Sequence, residues 1–153
     1  MTTIDGDTSD RLAIQDLAYR YAAGVDQRDE ELFLSAFHPD ATLTLVRTGP
    51  DGKEKISLRT GHEELRAIPR LVARHAKTFH FIGNHRCDVA GDAATGEVYC
   101  MAHHLDIGSE GQTDYVMLIR YQDVYQRDAE GQWLIISRQL VFDWNVVNTV
   151  QTD

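Results

Sequence analysis

The sequence predicts an α+β fold in which a strongly bent, mostly antiparallel sheet wraps around helices taken from the first half of the chain. Apolar residues at helical spacing are concentrated in that half, while four successive strand-like segments with short turns between them fill the second. The length of 153 residues, with 42% hydrophobic and 25% charged, suits one domain that buries an ordinary core without staples. The domain is expected over residues 10–147, after a flexible N-terminus at 1–9 and before a tail at 148–153.

From Asp10 to Arg28, Ile14, Leu17, Ala18, Tyr21, Ala22 and Val25 form a helical stripe, with Arg11, Asp16 and Arg20 mostly outside it, so one long amphipathic helix is expected. Asp29-Glu30-Glu31 reads as an N-cap with acidic first-turn residues. It opens a short helix through Leu34 and Phe37 that His38-Pro39-Asp40 stops, because a residue before proline disfavours helical backbone. Ala41 to Arg47 and Lys53 to Arg59 read as strands around a tight reversal at Gly49-Pro50-Asp51-Gly52. Thr60-Gly61-His62-Glu63 has capping-box spacing and starts a third helix running to about Lys77. Pro69 should kink or break it by removing one hydrogen bond and crowding the preceding turn. Thr78 to Ala90, Ala94 to Ile107, Asp114 to Arg127 and Trp133 to Val147 are rich in aromatic and β-branched residues. Gly91-Asp92, Glu110-Gly111 and Ala129-Glu130-Gly131 separate them, as in consecutive antiparallel hairpins.

With 24 acidic against 15 basic residues, a formal charge of −9 and no Lys/Arg cluster, the chain lacks the concentrated positive charge that nucleic acid or an anionic membrane demands. A small hydrophobic molecule is the expected ligand. Met1 to Asp10 shows no basic region followed by an apolar run, and no stretch approaches the ~20 apolar residues of a membrane span, so a cytoplasmic location is expected. Cys87 and Cys100 fit buried free thiols in a reducing compartment. No metal is expected: there is no His-Glu-x-x-His, and adjacent His103 and His104 point to opposite faces of a strand. No cofactor is expected either, since no Gly-x-Gly-x-x-Gly or phosphate-loop motif occurs.

The candidate chemistry rests on Asp26, which closes the first helix, and His80, which opens a strand in His80-Phe81-Ile82-Gly83-Asn84. If helix end and strand start meet, the carboxylate holds one imidazole nitrogen and leaves the other free to take a proton. A histidine with a reference pKa of about 6.5 is mostly neutral at pH 7, and a carboxylate beside it stabilises the imidazolium that forms. Each residue also has a structural reading. Asp26 serves equally as a helix-terminal polar group, His80 as a buried histidine satisfied by backbone, and Tyr21 as a core residue on the apolar stripe. Arg138 fits a structural ion pair with Asp123 or Asp143. Arg120, Tyr121 and Asp123 read as scaffold, and His38, His62, His75 and His85 are expected at solvent or in loops.

Turn arithmetic places a pocket wall. If Gly91-Asp92 is a two-residue turn, Ala90 faces Ala93 and the register sets Asn84 opposite Tyr99, Ile82 opposite Met101 and His80 opposite His103. His80, Ile82, Met101 and His103 would then share one face, with Phe81, Ala102, Cys100 and Val98 on the other; a single bulge would break the pattern.

The order Ile14-Gln15-Asp16-Leu17, Tyr21 to Asp26, Phe37-His38-Pro39-Asp40-Ala41, Gly61-His62-Glu63-Glu64-Leu65, His80 to Asn84, Gly91-Asp92-Ala93, Arg120 to Arg127, Gly131-Gln132-Trp133 and Arg138 to Trp144 resembles the SnoaL-like branch of the nuclear transport factor two-like superfamily. The resemblance covers nearly the whole chain. It implies a cone-shaped α+β barrel whose bent sheet is closed by about three helices around a deep cavity, often in a homodimer or homotrimer. Relatives include scytalone dehydratase, hexachlorocyclohexane dehydrochlorinase, bile acid dehydratase, ketosteroid isomerase and polyketide cyclases. In the dehydratase and dehydrochlorinase members an aspartate ending the first helix pairs with a strand histidine that acts as base, and Asp26 and His80 match those positions. Tyr21 matches a helix tyrosine of the bile acid dehydratase pattern, and His103 resembles the second histidine of scytalone dehydratase. Arg138 stands where the dehydrochlorinase pattern has a leaving-group arginine, but the lysine of that pattern is absent.

Together these features imply a cofactor-independent lyase or isomerase for a small hydrophobic cyclic or aromatic substrate. His80 abstracts the proton, Asp26 orients it, Tyr21 and His103 assist the departing or enolising oxygen, and Ile82 and Met101 form the wall. Two alternatives stand beside it: a non-catalytic binding module like a dioxygenase small subunit, and a polyketide-type cyclase or formaldehyde-releasing lyase acting on aryl compounds.

Overall fold

The computed structural model describes residues 4–151, with side-chain surroundings from residue 8 onward. The first residues of the expected flexible N-terminus, and the last two of the expected tail, lie outside the described residues. Helix α1 spans Ile4–Gln27 and so starts before Asp10, and α2 spans Glu30–Leu34. The stripe of α1 behaves as its spacing predicts: Ile14, Leu17, Ala18, Tyr21, Ala22 and Val25 are all buried. Asp29 caps α2 by accepting a hydrogen bond from the Leu32 N–H at 3.0 Å.

Strands β1 (Phe37–Gly49) and β2 (Gly52–Thr60) form the expected hairpin. The third helical segment is shorter than its capping signal suggests and comes in two pieces, α3 (Gly61–Leu65) and α4 (Ala67–Val72). Pro69 explains the break. It has no N–H for the Leu65 carbonyl and its ring crowds that carbonyl, so the helix is interrupted at Arg66. The cap differs too: Thr60 makes no side-chain cap bond, and Glu64, not Glu63, reaches back to the Thr60 N–H at 2.6 Å.

Four long strands follow: β3 (Lys77–Ala90), β4 (Ala93–Gly108), β5 (Gly111–Arg127) and β6 (Trp133–Val150). The six strands form one sheet in the order β2-β1-β6-β5-β4-β3, parallel between β1 and β6 and antiparallel elsewhere. The sheet does not close on itself, because β2 and β3 remain its edges. The α1 helix packs against β3 and β6 and fills one mouth of this α+β cone. Among the described residues no helix is long and apolar enough to cross a membrane.

Register in β3 and β4 departs from the simple hairpin. Ala90 pairs with Ala93 as turn arithmetic requires, and the pairing runs regularly back to His85 opposite Val98. A bulge then intervenes. Gly83 and Asn84 together oppose Tyr99, so Ile82 pairs with Cys100, His80 with Ala102 and Phe79 with His103. His80 therefore shares its face with Ala102, Cys100 and His104. His103 and Met101 lie on the opposite face beside exposed Phe79 and Phe81.

Candidate functional site

The site begins where α1 ends. Arg28 adopts φ +60°, its N–H donates to the Val25 carbonyl at 3.3 Å, and the Asp29 N–H donates to the Gly24 carbonyl at 2.9 Å. This double bond pattern terminates a helix on a left-handed residue, a place usually given to glycine. Arginine stands here at some backbone cost because its guanidinium ties the helix end to the head of β3. Nη1 donates to Val25 O at 2.9 Å and to Thr78 Oγ1 at 2.7 Å, and Nη2 to His75 O at 3.3 Å.

That anchoring places Asp26 against His80. The carboxylate accepts from the Thr78 hydroxyl at 2.9 Å, from the His80 backbone N–H at 2.8 Å, and from the His80 ring through Nδ1 at 2.7 Å. Burial works against its charge, but the His80 ring and backbone bonds, with Thr78, outweigh that and hold the Asp26 carboxyl below its usual range. An ionised carboxylate only accepts, so Nδ1 carries the proton in the neutral ring and Nε2 is the open acceptor. The two side chains are 6% and 23% exposed, His80 being the more deeply set.

His80 lines a cavity of about 310 Å³ bounded by β1, β5, β6 and α4. Leu43, Leu45, Met117, Ile119, Leu140 and Phe142 supply an apolar wall, and Tyr21, Tyr115, Tyr121 and His104 add polar atoms. Tyr21 sits edge-on to His80 with ring centres 6.3 Å apart, and burial raises its hydroxyl pKa to about 12, so it stays a donor. His104 packs against both His80 (5.6 Å) and His75 (4.7 Å). Burial first, then the neighbouring His80 and His75, press its pKa down to about 4, and its Nδ1 has no hydrogen-bond partner among the described residues. A neutral histidine with an unused nitrogen thus stands beside His80 within the same chamber.

The remaining expected residues fall elsewhere. His103 does not enter the cavity: it is on the outer face, with Nδ1 2.7 Å from Asp114 Oδ2. Met101 is likewise outside, and Ile82 packs on the core behind the cavity without lining it. The bulge at Gly83-Asn84 accounts for the exchange of His103 for His104. Arg138 is fully buried in a two-pronged pair with Asp123, at 2.8 and 2.7 Å, and is stacked between Tyr21 and Tyr121 at 4.6 and 4.3 Å from their ring centres. It supports the tyrosines from below and is not part of the cavity lining. His75, expected in a loop, lies at the cavity rim with Nδ1 2.9 Å from Asp106 Oδ1. His85 is half-buried, 3.5 Å from the Tyr125 hydroxyl, and His62 bonds the Phe37 carbonyl at 2.9 Å.

Sequence reasoning missed His104, Tyr115, Tyr121, Arg59 and Arg74 as cavity residues. A signal for the first was present: glycine inside a strand marks a bulge, and Gly83 is such a residue. Both cysteines are buried and neither forms a disulfide among the described residues, and burial pushes the Cys100 thiol up to about 11. No group of three or more His, Cys, Asp or Glu side chains among the described residues is placed to hold a metal ion.

Comparison with known proteins agrees with this architecture. An uncharacterized protein of Mycobacterium tuberculosis, Rv2910c, is 30% identical over 132 residues, spanning 85% of this chain and 83% of that protein. A putative scytalone dehydratase from Novosphingobium aromaticivorans superposes with a TM-score of 0.73 at 18% identity, covering 97% of this chain and 93% of that one. Hexachlorocyclohexane dehydrochlorinase LinA-type3 from Novosphingobium barchaimii superposes with a TM-score of 0.72 at 23% identity, covering 93% and 92%. The profile of the SnoaL-like domain matches residues 6–139, and with it the open cone and its helices find their place: the chain belongs to the SnoaL-like family.

Proposed function

We propose that the protein is a cofactor-independent lyase or isomerase that removes a proton from a small, largely hydrophobic cyclic substrate, with His80 as base and Asp26 as its orienting partner. The observation that carries this reading is the 2.7 Å contact between His80 Nδ1 and Asp26 Oδ1, made by a ring that lines an apolar cavity. A scaffold has no need of a base whose second nitrogen is held open in such a chamber.

In the proposed step, Nε2 takes a proton from substrate carbon. The C–H electron pair forms the new double bond as a hydroxyl or halide leaves from the adjacent carbon, or moves onto a neighbouring carbonyl oxygen as an enolate. Asp26 stabilises the imidazolium, and Tyr21 and neutral His104 donate hydrogen bonds to the oxygen that gains charge. The proton on His80 then leaves with the departing group, giving water or acid as second product, or returns to another carbon, completing an isomerisation.

The test is a panel of cyclic alcohols, halides and enolisable ketones incubated with the protein in D2O, followed by mass spectrometry for loss of water or acid and for deuterium uptake at carbon. Turnover that falls by about 10²-fold or more in folded His80→Gln supports the base. Equal turnover in that variant overturns it.

A further inference from the structure

The charge distribution around the cavity runs against that of the chain. The protein carries 24 acidic and 15 basic residues, yet among the described residues no aspartate or glutamate lines this chamber, while Arg59 and Arg74 both do. Arg59 lies on β2 directly opposite Leu43 of β1, and paired residues project to one face, so its side chain enters the side that Leu43 walls. It is partly buried and makes no hydrogen bond or ion pair among the described residues. Arg74 follows α4 at the exposed rim, and only its Nε is engaged, with His75 Nε2 at 3.3 Å. The nearby carboxylates are already committed, Asp26 to His80 and Asp106 to His75.

Elsewhere in the molecule several arginines are paired with carboxylates, while Arg47 and Arg86, which make no ion pair among the described residues, lie exposed at the surface and do not line this cavity. Arg20 meets Asp16, Arg70 meets Glu30, Arg120 meets Asp143, Arg127 meets Asp10 and Arg138 meets Asp123. An arginine fork left open at the lip of an apolar cavity is a site for an anion, and its planar donors match a carboxylate two bonds at a time. Field lines from cationic groups also concentrate in a low-dielectric cleft, which favours an anionic ligand despite the net charge of the protein.

We propose that the natural substrate is a hydrophobic cyclic acid whose carboxylate is held by Arg59, with Arg74 at the rim, while its ring body fills the apolar chamber and faces His80. This assignment names a substrate class for the reading above and rests on that cavity being the reaction chamber. Arg59 is thereby a specificity-determining residue, separate from the proton-transfer pair.

The experiment is calorimetric titration of wild type, Arg59→Gln, Arg74→Gln and His80→Gln with cyclohexanecarboxylate and 1-naphthoate, with their uncharged primary amides, and with phenyl phosphate. The acids are expected to bind wild type at least about 10-fold more tightly than the amides, a difference near 1.4 kcal/mol. Arg59→Gln should reduce the acids to the level of the amides while leaving the amides unchanged, and His80→Gln should keep the preference. Amides that bind as well as acids, an acid preference that survives in Arg59→Gln, no binding of either acid at millimolar concentration, or phosphate bound more tightly than carboxylate would each overturn the proposal. Retention of the acid preference alongside unimpaired turnover in His80→Gln would remove the base assignment and leave the anion anchor standing.

Discussion

One carboxylate of Asp26 holds His80 twice, by the ring at 2.7 Å and by the backbone N–H at 2.8 Å, so the position of the strand and the orientation of the imidazole are set by the same group. The consequence is that charge and geometry are separable by substitution. Asp26→Asn retains an acceptor for the ring but not the negative charge that stabilises an imidazolium. Turnover of any substrate found in the panel is expected to fall by about 10²-fold or more with circular dichroism unchanged.

Thr78 contributes more gently. Its hydroxyl passes a hydrogen bond from Arg28 to Asp26, and Thr78→Val keeps the shape while deleting that donor. The Asp26 carboxyl should titrate higher, since one bond favouring its charged form is gone, and turnover should drop by roughly 10-fold, the scale of a hydrogen bond to a charged group. NMR titration of the carboxyl carbon checks the first and steady-state kinetics the second.

Arg138 and Asp123 form a pair with neither side chain exposed. Removing one partner strands the other charge in the core, so Arg138→Met and Asp123→Leu should each lose about 3–5 kcal/mol in urea unfolding. The double replacement Arg138→Met with Asp123→Leu should recover much of that loss. Strictly additive losses would contradict the coupling.

His104 makes the fold acid-sensitive. Its pKa is about 4 in the folded protein, below the ordinary histidine value, so the unfolded chain binds the proton first as pH falls. Stability is therefore full above about pH 6.5 and declines as pH drops toward about 4. The lowered carboxyl of Asp26 acts with the same sign at still lower pH, where its folded-state advantage is lost. His104→Asn should flatten the upper part of this decline in thermal melts taken from pH 7 to pH 4.5, and a curve as steep as wild type would contradict it.

Gly24 lets α1 and α2 touch. A Cβ there would lie 2.5 Å from the Phe33 backbone nitrogen and 2.6 Å from its Cα, both main-chain atoms that move only with α2. Gly24→Ala is expected to destabilise by about 1–3 kcal/mol, read as a lower Tm, and to reduce turnover because Asp26 is two residues further on.

Much of this was legible in the residues because local periodicity and turn chemistry dominate where they are strong. The α1 stripe, the reversal at Gly49 to Gly52 and the four late strands appear at or near their expected places. So does the approach of Asp26 to His80, which needs only a helix end meeting a strand start. The parallel pairing of β1 with β6 lies beyond local sequence, since it joins residues as distant along the chain as Thr42 and Ser137. The identity of the second cavity histidine was missed for a different reason. One extra residue at Gly83-Asn84 reverses the inward set of β3, and period-2 reasoning carries an undetected offset through every position beyond it. Of the two readings of Arg138, a leaving-group arginine implied by resemblance and a structural ion pair with Asp123 or Asp143, its two-pronged contact with Asp123 matches the second.

The surplus residue in β3 also determines how this chamber can change. On a regular ladder His80 would project with Phe79's present neighbours onto the outer surface, and Phe79 and Phe81 would turn toward the interior. Losing a single residue at Gly83 or Asn84 would thus turn His80 out of the pocket and bring phenylalanine in, without substituting any lining residue. The scaffold therefore holds a length-dependent switch at this step of the ladder, which decides whether an imidazole or a phenyl ring faces the interior.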